Sequence, residues 1–421
     1  MGLADRKKLI QAIEKKRGSK VITLVTSDRY ASNPIQGIQA SIAPDQVHQI
    51  IRHLRAISKE SNCEKIDLFL HSRGGDTSTA WPLVNAIRNY CKSFSVLVPV
   101  IAYSAATLVS LGADEIVMCG IASLSPIDPT VANLFNPTDE NTKQPLGISV
   151  EDVTSFVSLA QDNPIGIKKE ANVTEVFKIL AKKVHPLALG NVKRSHSQIR
   201  LLARKLLSLH LKGEGQKSID IIVDELTERL YTHSHSISRN EARESIGLDN
   251  IVKDATPEEE TLLLDLYQDY ETEMKLKEFF DLNAFLGDED EKILETYPVM
   301  IESASFSSQF KVRQKIKKAL IPDPNFRLQV LLTMETNKRQ GETIKTGVLQ
   351  MQTEFANLRA SLVSLQMKNP SIQPLSTLVD QCNNTYNSIT ALANGLPGHI
   401  DLKDLKTSVE SQTEFLGWID A

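Results

Sequence analysis

The chain has 421 residues, 41% of them hydrophobic and 24% charged, and its net charge is −4. That length exceeds one ordinary core, and the composition is that of a soluble globular protein of two or three domains. With no strongly basic face, no nucleic-acid partner is expected.

The opening residues, MGLADRKKLIQAIEKKRG, are charged throughout and lack an apolar core, so no secretory signal is expected there. Arg6 stands where a myristoylation signal would carry Ser or Thr. Residues 20–120 then alternate between two periods. KVITLVTS reads as a buried strand. In PDQVHQIIRHLRAISKE, Val47, Ile50, Ile51, Leu54 and Ile57 fall on one helical face. KIDLFLH is a strand, TSTAWPLVNAIRNYC a helix, FSVLVPVIA a strand, SAATLVSLGA a short helix and DEIVMCG a strand. Repeated strand–helix–strand units predict an α/β layer with mainly parallel strands.

Residues 136–147 read as a loop. Helices are expected at VEDVTSFVSLAQ, TEVFKILAKKV, HSQIRLLARKLLSLHLK and IDIIVDELTERLY, followed by an alternating THSHSIS and a short helix RNEARESIGL. From about Thr256 the chain becomes acidic and helical, and YPVMIESASFSSQFKVRQKIKKA reads as a hairpin. Further on, Ile344, Val348, Met351, Phe355, Leu358, Leu362 and Leu365 recur at heptad spacing. A second helical pattern through Leu378, Cys382, Tyr386, Ile389 and Leu392 completes an expected helical hairpin. It packs either within a small domain or against another subunit.

The apolar run VIAYSAATLVSLGADEIVM is too interrupted for a membrane span, which needs about 20 apolar residues. Pro99, Ser104, Thr107 and Ser110 break it, and Asp114 and Glu115 close it. Cys63, Cys91, Cys119 and Cys382 are scattered without a CxxC pair. They predict reduced thiols in a cytoplasmic protein.

Four features bear on chemistry. HSRGGD places Gly74-Gly75 after a strand, where backbone N–H groups can face an anion. Ser104 follows a strand and begins a helix of small residues. It is either a nucleophile at a strand-to-helix corner or a helix cap. Asp128 lies in SLSPIDP and reads as a turn residue or a functional carboxylate. THSHSI puts His233 and His235 on one side of an extended segment. A His-x-His pair invites a metal, but no third ligand is nominated, so neither metal nor cofactor is expected.

In combination, LFLHSRGGD, the strand into AYSAATLVSLGADEIVM, and SLSPIDP resemble the Clp/crotonase superfamily. HPLALG and THSHSI bring the closest likeness to the serine dehydrogenase proteinase family, relatives of signal peptide peptidase A. The resemblance spans roughly residues 15–255 and implies an α/β fold, a spiral of β-β-α/β-α units, here with a mostly helical C-terminal extension. It divides the chain into a catalytic domain at 1–255, an acidic helical and hairpin extension at 256–330, and a helical hairpin at 331–421.

The same resemblance implies a serine peptidase acting on peptide or protein substrates through an acyl-enzyme, and a homo-oligomer. Ser104 is then the nucleophile and Asp128 the orienting carboxylate. Asp128 stands where the Clp proteolytic subunit carries its histidine, so the base comes from His233 or, second, His235. The oxyanion donors are the N–H groups of Gly75 (or Gly74) and Ala105. Relatives often have glycine soon after the serine, whereas Ala105 and Ala106 follow here. A Ser–Lys mechanism, as in the signal peptidase branch, ranks second because Lys168, Lys169, Lys182 and Lys183 lie in charged clusters. A catalytically silent scaffold and a crotonase-type enzyme handling acyl-CoA are the alternative functions.

Overall fold

The computed structural model describes residues 2–27, 40–60, 64–128, 130–131, 133–139, 145–161, 167, 170–211, 216–230, 235–320, 341–368, 378–388 and 406–420. Two compact units divide the chain. The first comprises Met1–Asp281, Leu294–Gln314 and Thr413–Ala421, and the second Leu282–Ile293 and Lys315–Gln412.

The first unit is built on alternating strands and helices. In order they are α1 (Leu3–Arg17), β1 (Lys20–Thr26), α2 (Asp45–Glu60), β2 (Lys65–His71), α3 (Ala80–Arg88), β3 (Ser93–Val98), β4 (Ile101–Ala102), α4 (Ala105–Ser110) and β5 (Glu115–Met118). After β6 (Ser123–Leu124) come the short β7 (Thr130–Val131) and β8 (Ile148–Ser149). The helices α5 (Val150–Gln161), α6 (Glu170–Lys183), α7 (Pro186–Leu207) and α8 (Gln216–Asp224) follow. The chain then runs through β9 (Ile237–Ser238), α9 (Arg239–Glu244), β10 (Val252–Asp254) and α10 (Pro257–Met274); α11 (Leu282–Leu286) belongs to the second unit, and the long strands β11 (Glu291–Ser303) and β12 (Ser307–Leu320) each have residues in both.

The large sheet has the order β10-β5-β3-β2-β1-β11-β12-β13, where β13 is Lys406–Asp420. Strands β10, β5, β3, β2 and β1 run parallel, and β11 joins β1 antiparallel. After its first residue, each of β1, β2 and β3 is buried throughout. That is why these segments read as continuous apolar runs: a parallel sheet is covered on both faces. Val47, Ile50, Leu54 and Ile57 of α2 are buried as its periodicity predicts.

The expected strand FSVLVPVIA divides in two. Pro99 has no N–H to donate to a ladder, and the chain leaves β3 there and re-forms as β4 in a separate sheet of order β4-β6-β9. Packing of the first unit does not stop at residue 255. Helix α10 lies against α1, and β11 extends the sheet at β1. A capping box, Thr256 with Glu259, starts α10.

Buried charge fastens these late elements to the early ones. Arg6 of α1 donates to Asp269 of α10 at 2.7 Å and to both carboxylate oxygens of Glu302 in β11 at 2.8 and 3.1 Å. The Tyr270 hydroxyl also donates to Glu302, at 2.7 Å. At the other end of α1, Arg17 bonds Asp67, Glu115 and Glu259. Opposite charges so placed hold the elements in register, and removing one partner strands the others in a dry interior.

In the second unit the long helix Gly341–Lys368 covers the heptad seam. Arg359 reaches a neighbouring helix at 378–388, where it bonds Asn383 at 2.5 Å and stacks over Tyr386. The first expected segment therefore forms, and the second does over 378–388, while its Ile389 and Leu392 lie outside the described residues. The chain past residue 405, expected as part of the same helical hairpin, is instead the strand β13.

Candidate active site

The small sheet fixes which residues meet. Strand β4 pairs parallel with β6, with Ile101 opposite Ser123 and Ala102 opposite Leu124. The chain therefore leaves both strands at the same end, delivering Tyr103-Ser104 from one and Ser125–Asp128 from the other. Strand β9 runs antiparallel to β6, with Ser123 opposite Ser238 and Leu124 opposite Ile237. It is entered from that end, through His235-Ser236. The exit of β2 reaches the same place. Ser72 bridges Ala102 in parallel, and the Tyr103 N–H donates to the Ser72 carbonyl at 2.9 Å. Four segments distant in sequence thus converge on one end of three two-residue strands.

Ser104 sits in a conformation that L residues avoid, with φ 53° and ψ −113°. Such a residue costs about 1–3 kcal/mol and persists only where its surroundings hold it. A sharp strand-to-helix corner of this kind can carry a nucleophilic side chain. Its N–H donates to Ser125 Oγ at 2.7 Å, and its carbonyl accepts from the Leu108 N–H. The Tyr103 hydroxyl spans to Ser123 Oγ at 2.9 Å and Ser236 Oγ at 3.2 Å, tying the corner to the segment entering β9.

The glycine pair packs beneath this corner. A Cβ added at Gly74, whose φ is +108°, would lie 2.7 Å from Ser104 Cβ and 2.8 Å from the Tyr103 carbonyl. One added at Gly75 would lie 2.3 Å from the Ile42 carbonyl. Only glycine fits either place. The Gly74 N–H donates to Ser72 Oγ at 3.0 Å, so it is occupied. Gly75 is bracketed by Ile42 N–H to the Gly74 carbonyl and Asp76 N–H to the Ile42 carbonyl, both 2.8 Å. In that parallel bridge the N–H of Gly75 itself turns to the opposite side, away from Ile42.

Asp128 is buried, with 5% of its surface exposed. His233 lies outside the described residues. His235 is half-exposed, and its Nε2 is 2.7 Å from Glu241 Oε1 in α9. In the tautomer that donates from Nε2, this leaves Nδ1 as the free basic position. His196 on α7 is 3% exposed, and neither ring nitrogen has a hydrogen-bond partner among the described residues. Glu228 lies 3.5 Å from its Nε2, an ion-pair distance too long for a good hydrogen bond. Burial pushes the His196 imidazole below its ordinary value, opposed by the charges of Glu228 and, more weakly, Asp128. Helical periodicity alone makes it a core residue, so the sequence carries no signal for it.

Lys182 and Lys183 are exposed, as expected of a solvated cluster, and Lys168 and Lys169 lie outside the described residues. No group of three or more His, Cys, Asp or Glu among the described residues is placed to hold a metal. Among the described helices none is long and apolar enough to cross a membrane.

Residues 1–139 match the family model of ClpP-like, SDH-type serine proteinases, as the sequence motifs implied, and the α/β fold, with its parallel layer feeding a Gly-Gly turn and a serine corner, is of that ClpP-like kind. Two uncharacterized proteins of Methanocaldococcus jannaschii are similar over 265 residues each. One is 29% identical, covering 62% of this chain and 78% of its own length. The other is 23% identical, covering 63% and 77%. Similar solved structures include a mutant of the 1510-N membrane-bound stomatin-specific protease, with a TM-score of 0.30 and 17% identity over 52% of this chain and 77% of that one. ClpP1 from Listeria monocytogenes gives 0.29 and 13% over 58% and 97%.

Proposed function

We propose that the protein is a serine peptidase with Ser104 as its nucleophile. The observation that carries this reading is the convergence of the Gly74-Gly75 turn, the strained Ser104 corner, Asp128 and the segment entering β9 on one end of the small sheet. A histidine takes the Ser104 hydroxyl proton as the oxygen attacks a peptide carbonyl carbon. The resulting oxyanion is received by the N–H groups of Gly75 and Ala105. The C–N bond then breaks, the histidine returns its proton to the leaving amine, and water clears the acyl-enzyme.

His233 and His235 are the proposed bases, since the chain enters β9 at this end through His235 and His233 precedes it by two residues in sequence. With His233, Asp128 is the orienting carboxylate. With His235, that role passes to Glu241, which already bonds its ring. A cytoplasmic homo-oligomer belongs to the same proposal. Light scattering at micromolar concentration tests assembly, and a monomer would refute it.

The decisive experiment uses a fluorophosphonate probe and a peptide substrate on the full chain. Ser104→Ala is expected to abolish labelling and hydrolysis, and unchanged labelling would sink the assignment. His233→Ala and His235→Ala assayed side by side identify the base as the variant that loses about a thousandfold or more in kcat. Wild-type protein inert to the probe but stabilised against heat by an acyl-CoA would move the reading to the crotonase type.

A further inference from the structure

We infer that Ser125 is a positioning residue that holds Ser104 in its reactive conformation and decides which N–H groups face the oxyanion. The inference rests on the peptidase reading and extends it to Ser125, which the SLSPIDP motif contains but to which it assigns no role. Its basis is a short chain of hydrogen bonds. Ser125 is 1% exposed and lies one residue past β6. Its hydroxyl donates to the Pro126 carbonyl at 3.0 Å, which spends the proton and leaves lone pairs for the Ser104 N–H at 2.7 Å. The N–H of Ser125 in turn donates to Thr107 Oγ1 at 3.1 Å, and that hydroxyl donates to the Ala102 carbonyl at 2.7 Å. Ser125 is therefore fastened to β4 and α4, the two elements that flank the corner.

Two consequences follow for the chemistry. First, a residue at φ 53° relaxes unless something opposes it, and the bond from Ser125 acts on Ser104 itself. Second, the bond occupies the nucleophile's own N–H. Some serine hydrolases use that N–H in the oxyanion hole. Here it is turned inward, and the corner presents the N–H of Ala105 instead. That N–H begins α4, so no residue of the helix can accept it. The Cβ position of Gly74 lies 3.2 Å from the Ala105 nitrogen, which places the Gly-Gly turn beside this donor. Ser125 thus turns one amide away and leaves the next one for the substrate, without touching substrate itself.

The test compares Ser125→Thr with Ser125→Val, two side chains of nearly one shape that differ in the hydroxyl, and adds Ser125→Ala. Fluorophosphonate labelling rates and the kcat and KM of peptide hydrolysis are measured on the full chain. Val and Ala leave the Ser104 N–H buried without an acceptor. Both are expected to lower the labelling rate and kcat about ten- to a hundredfold while KM stays within about twofold. Thr is expected to keep at least about half of the wild-type rate.

Val or Ala variants that label and turn over like wild type would overturn the inference. So would a folded Thr variant as slow as Val, or a loss confined to KM. Should Val and Ala fail to fold, the Thr variant still keeps the inference open to refutation, because an acceptor role requires its rate to be retained. Failure of the underlying reading looks different: the wild-type protein itself does not label at Ser104.

Discussion

Gly74→Ala tests the corner from outside the reacting groups. The added methyl would stand 2.7 Å from Ser104 Cβ, 2.8 Å from the Tyr103 carbonyl and 3.2 Å from the Ala105 nitrogen. Two of those neighbours are backbone, so they cannot swing aside. The φ of +108° adds strain of about 1–3 kcal/mol for any L residue, and overpacking adds a similar amount. A loss of about 2–6 kcal/mol lowers the melting midpoint by about 5–20 °C at roughly 2–4 °C per kcal/mol. Part of the strain is relieved by displacing Ser104, and misplacing a reacting atom by about 1 Å costs about a hundredfold in rate. Differential scanning calorimetry and fluorophosphonate labelling read the two effects. Gly190→Ala is the control. It lies in α7 with nothing within 4 Å of an added Cβ, so it should raise stability by about 0.5–1 kcal/mol. A Gly74→Ala protein that melts and labels like wild type would refute the packing argument.

Other regions make independent predictions. Arg6→Met should cost about 3–5 kcal/mol in urea unfolding, because Asp269 and Glu302 lose their buried partner, and a loss under about 1 kcal/mol would contradict this. Burial pushes the His53 imidazole down to about 3 from 6.5, where it lies stacked on Phe306 with Ser303 Oγ at 2.9 Å. The unfolded chain takes up a proton that the native ring refuses. Stability is therefore complete above about pH 6.5 and falls by about 1.4 kcal/mol per unit as the pH drops toward 3. His53→Gln should flatten that slope, and an unchanged slope in urea titrations would contradict the assignment. The Cys119 thiol, pushed up to about 12 by burial, should escape iodoacetamide in the native protein at about pH 8. Peptide mapping that finds it alkylated faster than global unfolding would count against its burial.

Much of the first unit is legible because parallel strands buried on both faces leave unbroken apolar runs, and α2 leaves a 3.6-residue stripe. The Ser104 corner is legible as a place, from the Gly-Gly turn before it and the small residues after it. Its left-handed φ is not, since nothing in Tyr103-Ser104-Ala105 favours that conformation. It is imposed by Ser125, Ser72 and Gly74, which tertiary contacts bring there. The same limit explains Glu241. Its neighbourhood reads as an ordinary helix start, and only the turn from His235 into α9 brings its carboxylate to the ring. The strand β13 contradicts a helical expectation because pairing at the sheet edge overrides a weak local pattern.

The three strands that gather the site are two residues long, with two registered pairs at each seam. The neighbouring β1–β2 seam has six. A ladder so short contributes little to cooperative stability, so this corner can open and close many times during one lifetime of the folded core. Amide hydrogen exchange at Leu124 and Ile237 should therefore outpace that at Leu68 and Leu24 by orders of magnitude. If Ser104 is the nucleophile proposed above, modest heating should silence its labelling while the large sheet remains intact.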